Sequence, residues 1–199
     1  MTKLLLVRHG QSEWNALGKW QGKADPPLTE LGKQQASIAA MKLPDFSLLA
    51  CSNLQSASLT AEIFAESTGW DKTKIITEPS VQERDAGGFS GLTRTEIDKK
   101  FPGYLNNNIW PEDWESDQIL VRRLRKGLAN IISKSSNAGT IVVVTHGGCI
   151  YALEGLCGEP YRRISNLGGR WFEIEDDEII IGNRTHLLPE EEQTYPDQI

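Results

Sequence analysis

The chain has 199 residues, 39% of them hydrophobic, with 21 Lys+Arg against 27 Asp+Glu for a formal net charge of −6. That length suits one sizeable core, read as a single domain over 1–199. Charges of both signs are mixed along the chain, so neither a nucleic-acid footprint nor a basic membrane-binding helix is visible, and an anionic ligand has to be drawn in by local charge.

The first element is the apolar run Leu4-Leu5-Leu6-Val7, which leads into Arg8-His9-Gly10. Too short for a membrane span, it predicts a strand over 3–8 buried on both faces, of the kind that delivers ligand-binding groups at its carboxyl end. Residues 15–27, with their glycines and tryptophan, are expected as loop. A helix opens near Thr29 with Glu30 in its first turn, followed by a strand over 47–51 and a helix over 54–68. A short strand near 75–77 precedes a helix from Thr93, where Thr93 and Glu96 make a capping box. Residues 101–116 carry Tyr104, Trp110, Pro111 and Trp114 in a long irregular segment. It reads either as a lid beside a site or as a surface excursion pinned by its own aromatics.

After a helix over 118–135, Ile141-Val142-Val143-Val144 repeats the opening pattern as a strand over 140–145 and runs into His146-Gly147-Gly148. The helix that follows, about 149–156, points its free amides at whatever His146 touches. Residues 170–175 and 179–182 read as a closing hairpin around Asp176-Asp177, with His186 assigned no chemistry. The acidic stretch over 188–199 reads as a mobile or loosely docked tail. Alternating strands and helices predict a mainly parallel sheet covered by helices. Cys51, Cys149 and Cys157 are odd in number and lie in apolar or helix-like surroundings. They read as reduced thiols of a cytoplasmic protein, not as a disulfide frame or metal cluster. No segment approaches the roughly eighteen apolar residues of a membrane helix.

Arg8 offers a fork of donors suited to phosphate oxygens, His9 a nitrogen able to attack phosphorus, and Gly10 a close approach of backbone to ligand. The bland alternative is a strand-end histidine satisfied by a carbonyl beside an arginine in a surface ion pair. Only three histidines exist in the chain, and two of them close equivalent buried strands. If those strands are neighbours, two imidazoles face each other, which favours phosphoryl chemistry.

The segments Leu6-Val7-Arg8-His9-Gly10-Gln11-Ser12-Glu13-Trp14-Asn15, Gln21-Gly22 with Asp25, Leu28 and Gly32, Glu83 with Gly87, Phe89 and Gly91, and Val144-Thr145-His146-Gly147-Gly148 occur in that order over most of the chain. They resemble the histidine phosphatase (phosphoglycerate mutase-like) superfamily. The resemblance implies an α/β three-layer sandwich and a covalent phosphohistidine intermediate, with no metal and no organic cofactor. Residue by residue, it places the nucleophile on His9 and a phosphate-pocket arginine on Arg8. The pocket's second histidine falls on His146, and the acid that protonates the leaving alcohol on Glu83. Asn15, Gln21, Gly22 and Gly147 fall on positions that line the phosphate or substrate side.

One position departs from the family's pattern. After the second strand the family carries Ser-x-Leu-x-Arg-Ala-x-x-Thr-Ala, whose arginine is a second phosphate clamp, whereas this chain reads Ser52-Asn53-Leu54-Gln55-Ser56-Ala57-Ser58-Leu59-Thr60-Ala61. Ser56 offers one neutral hydrogen bond where a guanidinium gives two charged ones. Losing such a donor costs about 3–4 kcal/mol of transition-state stabilisation, unless Arg84, Arg122, Arg123 or Arg170 reaches the pocket or the substrate brings different charge.

Three functions follow. The first is a phosphomonoester hydrolase acting on a small phosphorylated metabolite of the cytosol, with no nucleic acid or membrane as partner, working as a monomer or homodimer. The second is a mutase, against which the family's Glu-Arg-x-Tyr-Gly reads Glu83-Arg84-Asp85-Ala86-Gly87 here, without the tyrosine. The third is a weakly active or non-catalytic module that binds a phosphorylated ligand or a protein, for which Ser56 is the best argument. The aromatics of 101–114, with Trp14 and Trp20, suggest a cover able to stack on a ring, and core packing explains them equally well.

Overall fold

The computed structural model describes residues 2–135, 139–175 and 178–196. Six strands form a single sheet: β1 (Thr2–Arg8), β2 (Leu48–Cys51), β3 (Ile76–Thr77), β4 (Thr140–Thr145), β5 (Gly168–Glu175) and β6 (Glu178–His186), in the order β3-β2-β4-β1-β5-β6. The β3-β2-β4-β1 half is parallel, while β5 and β6 join antiparallel. The link between β5 and β6, expected at Asp176-Asp177, lies outside the described residues.

The doubly apolar strands explain the layering, because alternate side chains of a strand leave opposite faces of the sheet. Leu4, Leu6, Leu48, Ala50, Ile141 and Val143 share one cluster with α5 (Asp117–Ser133) and α6 (Gly147–Leu156). Leu5, Val7, Leu49, Cys51, Val142 and Val144 share the other with α2 (Glu30–Ala40) and α3 (Gln55–Thr68). Each leucine so buried is worth about 1.5–3 kcal/mol, and neither cluster survives a one-residue slip of register, which would exchange the faces. The fold is thus the expected α/β sandwich.

Helix boundaries follow their caps. Thr29 Oγ1 accepts the Gly32 amide at 3.0 Å to open α2, and Thr93 and Glu96 form the expected capping box on α4 (Arg94–Lys100). A short helix, α1 (Glu13–Ala16), occupies the start of the stretch expected as loop, because Ser12 and Asn15 make a capping box of their own. Gly10 serves the fold in a way the sequence did not disclose: a Cβ there would meet the Gly32 carbonyl oxygen at 2.5 Å. Its bareness lets α2 approach, which is a packing role.

Two segments left open by the sequence are placed by the structure. Residues 101–116 are anchored by a third cluster around Trp20, Phe89 and Ile97, against which Phe101, Tyr104, Trp110 and Trp114 pack. The acidic tail, up to residue 196, is docked: Gln35 Nε2 donates to Glu192 O and to Thr194 Oγ1, and the Asn166 amide donates to Thr194 O at 2.9 Å. An acidic composition suggested a solvated end, but the polar side chain of buried Gln35 needs partners and finds them there. Residues 197–199 lie outside the described set.

Candidate active site

β1 and β4 are neighbours, with Arg8 opposite Thr145. The helices that follow them lie on opposite faces, α2 on one and α6 on the other. A crevice opens at such a switch point beyond the strands' carboxyl ends, and His9 and His146 occupy it. Their ring centroids are 5.0 Å apart at an interplanar angle of 61°, and both residues are buried.

Hydrogen bonds fix each ring. His9 Nδ1 lies 2.7 Å from the Gly10 carbonyl oxygen, so Nδ1 carries the hydrogen and Nε2 keeps its lone pair. The main chain of His9 is held as firmly: its amide donates to Thr145 O at 3.0 Å, and its carbonyl accepts from Asn166 Nδ2 at 3.0 Å. His146 Nε2 is 2.7 Å from Ser52 Oγ, and its Nδ1 has no hydrogen-bond partner. With the Ser52 hydroxyl donating to Nε2, Nδ1 becomes a donor awaiting an acceptor.

Burial lowers the pKa of His9 to about 3, the Arg8 guanidinium adding to the effect. His146 is held well below the ordinary histidine range by burial first, then by His9, Arg8 and Arg123. Both rings are therefore neutral near pH 7, the form in which imidazole is a nucleophile.

A cleft of about 420 Å³ is lined by Arg8, Gln21, Gly22, Glu83 and Gly147 among others; Arg8 and Gly147 are the chain neighbours of the two histidines, which themselves lie behind its wall. Arg8 is buried, and its Nη1 donates to Ile164 O at 2.9 Å. Glu83 reaches across to α6, where its carboxylate accepts the Gly148 amide at 3.1 Å and its own neighbour Arg84's amide at 2.7 Å. A Cβ on Gly148 would stand 2.3 Å from Glu83 Oε1, so glycine is what admits the carboxyl.

Asn15 and Ser56 are not among the groups that line this cleft. Asn15 stands behind it in a polar web: its Nδ2 donates to Gln21 Oε1, which also accepts from Ser12 Oγ, and its Oδ1 accepts from Asn166 Nδ2. Ser56 is fully buried, with its hydroxyl unpartnered. One turn later on α3, Thr60 donates to Ser56 O and accepts the Gly10 amide, which sets Ser56 against the histidine strand end and not on the helix surface.

The arginines considered as substitutes for the missing clamp are engaged elsewhere. Arg84 donates to Glu115 O, pairs with Asp117 and lies over the Trp114 ring, so its guanidinium leaves the Glu83 carboxyl alone. Arg123 is bound to the Glu115 carboxylate and to the carbonyls of Ser80, Gln82 and Glu83. Arg170 pairs with Glu154 and Glu159, and Arg122 is exposed. Trp20 lines the cleft, while Trp14 does not and packs against Gly91.

Sequence reasoning missed Ser52, Thr60, Asn166 and Thr194. Ser52 and Thr60 belong to the motif whose arginine is lost, but only the structure ties them to His146 and Gly10. Asn166 and Thr194, joined through Thr194 Oγ1 to Asn166 Oδ1 at 2.9 Å, lie in irregular chain with no pattern to announce them. Among the described residues, no group of three or more His, Cys, Asp or Glu is placed to hold a metal ion, and no helix is long and apolar enough to cross a membrane.

Comparison with known proteins agrees with this geometry. Residues 4–174 match the model of the histidine phosphatase superfamily, branch 1. The chain is 36% identical over 155 residues to the uncharacterized phosphatase PhoE of Bacillus subtilis, covering 77% of this chain and 76% of that protein. It is 34% identical over 172 residues to the 2,3-bisphosphoglycerate-dependent phosphoglycerate mutase of Bartonella henselae, covering 78% and 83%. The mycobacterial glucosyl-3-phosphoglycerate phosphatase, solved with VO3, superposes with a TM-score of 0.79 at 26% identity over 92% of this chain and 98% of that one. The chain therefore belongs to the histidine phosphatase superfamily, branch 1, and is an enzyme of that family.

Proposed function

We propose that this phosphatase hydrolyses a small soluble phosphate monoester of the cytoplasm through a phosphohistidine on His9. The observation that carries the reading is the 5.0 Å pairing of His9 with His146, with His9 Nε2 left open by the Nδ1 bond to Gly10. In the first step the Nε2 lone pair attacks phosphorus and the ester P–O bond breaks. The departing alkoxide takes a proton from Glu83. In the second step the Glu83 carboxylate takes a proton from water, whose oxygen attacks phosphorus, and the P–N bond breaks to release phosphate. Arg8, the Nδ1 hydrogen of His146 and the first amides of α6 meet the equatorial oxygens throughout.

A mutase has to rebind a phosphoglycerate instead of admitting water, and Ala86, which lines the cleft, stands where the mutase motif carries a tyrosine. The hydrolase reading is preferred for that reason. A non-catalytic module has no need of a carboxyl held in the cleft by the Gly148 amide, as Glu83 is. Incubation with p-nitrophenyl phosphate followed by an alkaline quench should yield a phosphorylated peptide containing His9. His9→Ala should lower phosphate release by roughly 10⁴-fold or more. Undiminished turnover in that variant would refute the mechanism.

A further inference from the structure

The cleft extends well beyond the phosphate-binding groups, and its volume of about 420 Å³ is that of a site for a small organic molecule. Its far walls are aromatic. Trp110 and Trp114 stack at 4.5 Å and 16°, and Trp20 leans on both at 6.3 and 6.0 Å. On another wall, Tyr151 of α6 and Tyr161 meet edge to face at 4.9 Å. The Tyr151 hydroxyl accepts the Ile164 amide, which fixes that ring, and Tyr161 stands half-exposed with its ring open to a partner.

The charges at this end are as informative as the rings. Three carboxylates, Asp117, Glu154 and Glu159, line the cleft there. The guanidiniums near them are committed: Arg84 to Asp117, Arg184 to both oxygens of Glu154, and Arg170 to Glu154 and Glu159. An alcohol that carries its own carboxylate would have to compete with Asp117, Glu154 and Glu159 for guanidiniums they already hold, a mismatch that costs affinity. A flat uncharged ring would instead bury its faces on indole and phenol.

Resting on the hydrolase reading, we infer that the enzyme selects phosphate monoesters whose alcohol carries a planar, uncharged ring, and discriminates against alcohols that carry a carboxylate. Trp110, stacked on Trp114 whose other face Arg84 covers, forms one bearing surface for that ring and Tyr151 with Tyr161 the other. This sets the chain apart from relatives that handle phosphoglycerate or its glucosyl derivative.

The test compares 2-phenylethyl phosphate, ethyl phosphate and 3-phosphoglycerate on the full chain, the first two having alcohols of similar leaving ability. The phenylethyl ester should exceed the ethyl ester by roughly tenfold or more in kcat/KM, mainly through KM, with 3-phosphoglycerate slowest. Trp110→Ala should pull the phenylethyl-to-ethyl ratio toward one, and Trp110→Phe should keep most of it. A ratio near one in the wild type, or 3-phosphoglycerate as the fastest ester, overturns the inference. Should no ester release phosphate, the hydrolase reading falls by itself. The ring preference is then decided by binding of the same esters to His9→Ala, followed by tryptophan fluorescence: tighter binding of the phenylethyl ester supports it, and equal binding overturns it.

Discussion

The two ends of the cleft are built by different means. At the phosphate end, the groups sit on the carboxyl ends of β1 and β4 and the first turn of α6, and backbone bonds to Thr145, Gly10 and Asn166 hold them. At the alcohol end, Trp110 and Trp114 stand on the connection before α5 and Tyr161 on the one after α6, with Tyr151 on α6 itself, held by ring packing and by ion pairs such as Arg84 with Asp117. The contrast teaches a division of labour. Regular structure fixes the imidazoles and Arg8, where a displacement of about 1 Å costs roughly a hundredfold in rate, with Glu83 the exception on irregular chain, while largely irregular chain shapes what is accepted.

If this division is right, changes at the phosphate end alter turnover of every ester alike, and changes at the alcohol end alter ratios among esters. After loss of the His9 nucleophile, the largest effect is expected at Ser56. Ser56→Arg should raise kcat for p-nitrophenyl phosphate by roughly a hundredfold, since a charged donor is restored beside Gly10 and the histidines. Unchanged or lower turnover in a folded variant would mean that the pocket is arranged around the serine. Gly148→Ala comes next: its methyl would displace Glu83 Oε1, and kcat should fall by up to about a hundredfold with KM little changed. A variant as fast as wild type would remove Glu83 from the proton path.

Stability against pH probes the same end. His9 has a folded pKa lowered from 6.5 to about 3, so below pH 6.5 the unfolded chain takes up a proton that the native ring refuses. This contribution is whole above pH 6.5 and is lost progressively as pH falls toward 3. Between pH 7.5 and 5 it amounts to about 2 kcal/mol. Urea unfolding should show the loss, and His9→Asn should remove much of it. An identical pH dependence in that variant would contradict the neutral buried ring. Smallest is Ser52→Ala, which frees His146 Nε2 and should lower kcat by about tenfold. Ser52→Thr should restore it, because the hydroxyl positions the ring; a loss in both variants would indicate packing alone.

The same contrast explains what was legible in the sequence. β1 and β4 announced themselves because strands buried on both faces read as unbroken apolar runs, and each run ended in histidine and glycine. Thr93 with Glu96, and Thr29 before α2, signal helix starts by local chemistry. The bond of Ser52 to His146 spans 94 residues, and that of Asn166 to Asn15 spans 151. Polar pairs of that separation leave no periodic trace. The docking of the tail was not legible in its composition, since main-chain groups and Thr194 make the contacts.

The Asn166 amide on the His9 carbonyl joins residues 157 apart in sequence, and β1 itself pairs with strands that are reached only after most of the chain has been laid down. Closing loops of that size is entropically late work for a folding polypeptide. A half-folded molecule thus exposes no competent nucleophile. Recovery of hydrolysis after dilution from denaturant should coincide with the last kinetic phase, and the onset of activity becomes a clock for the final closure of the sheet.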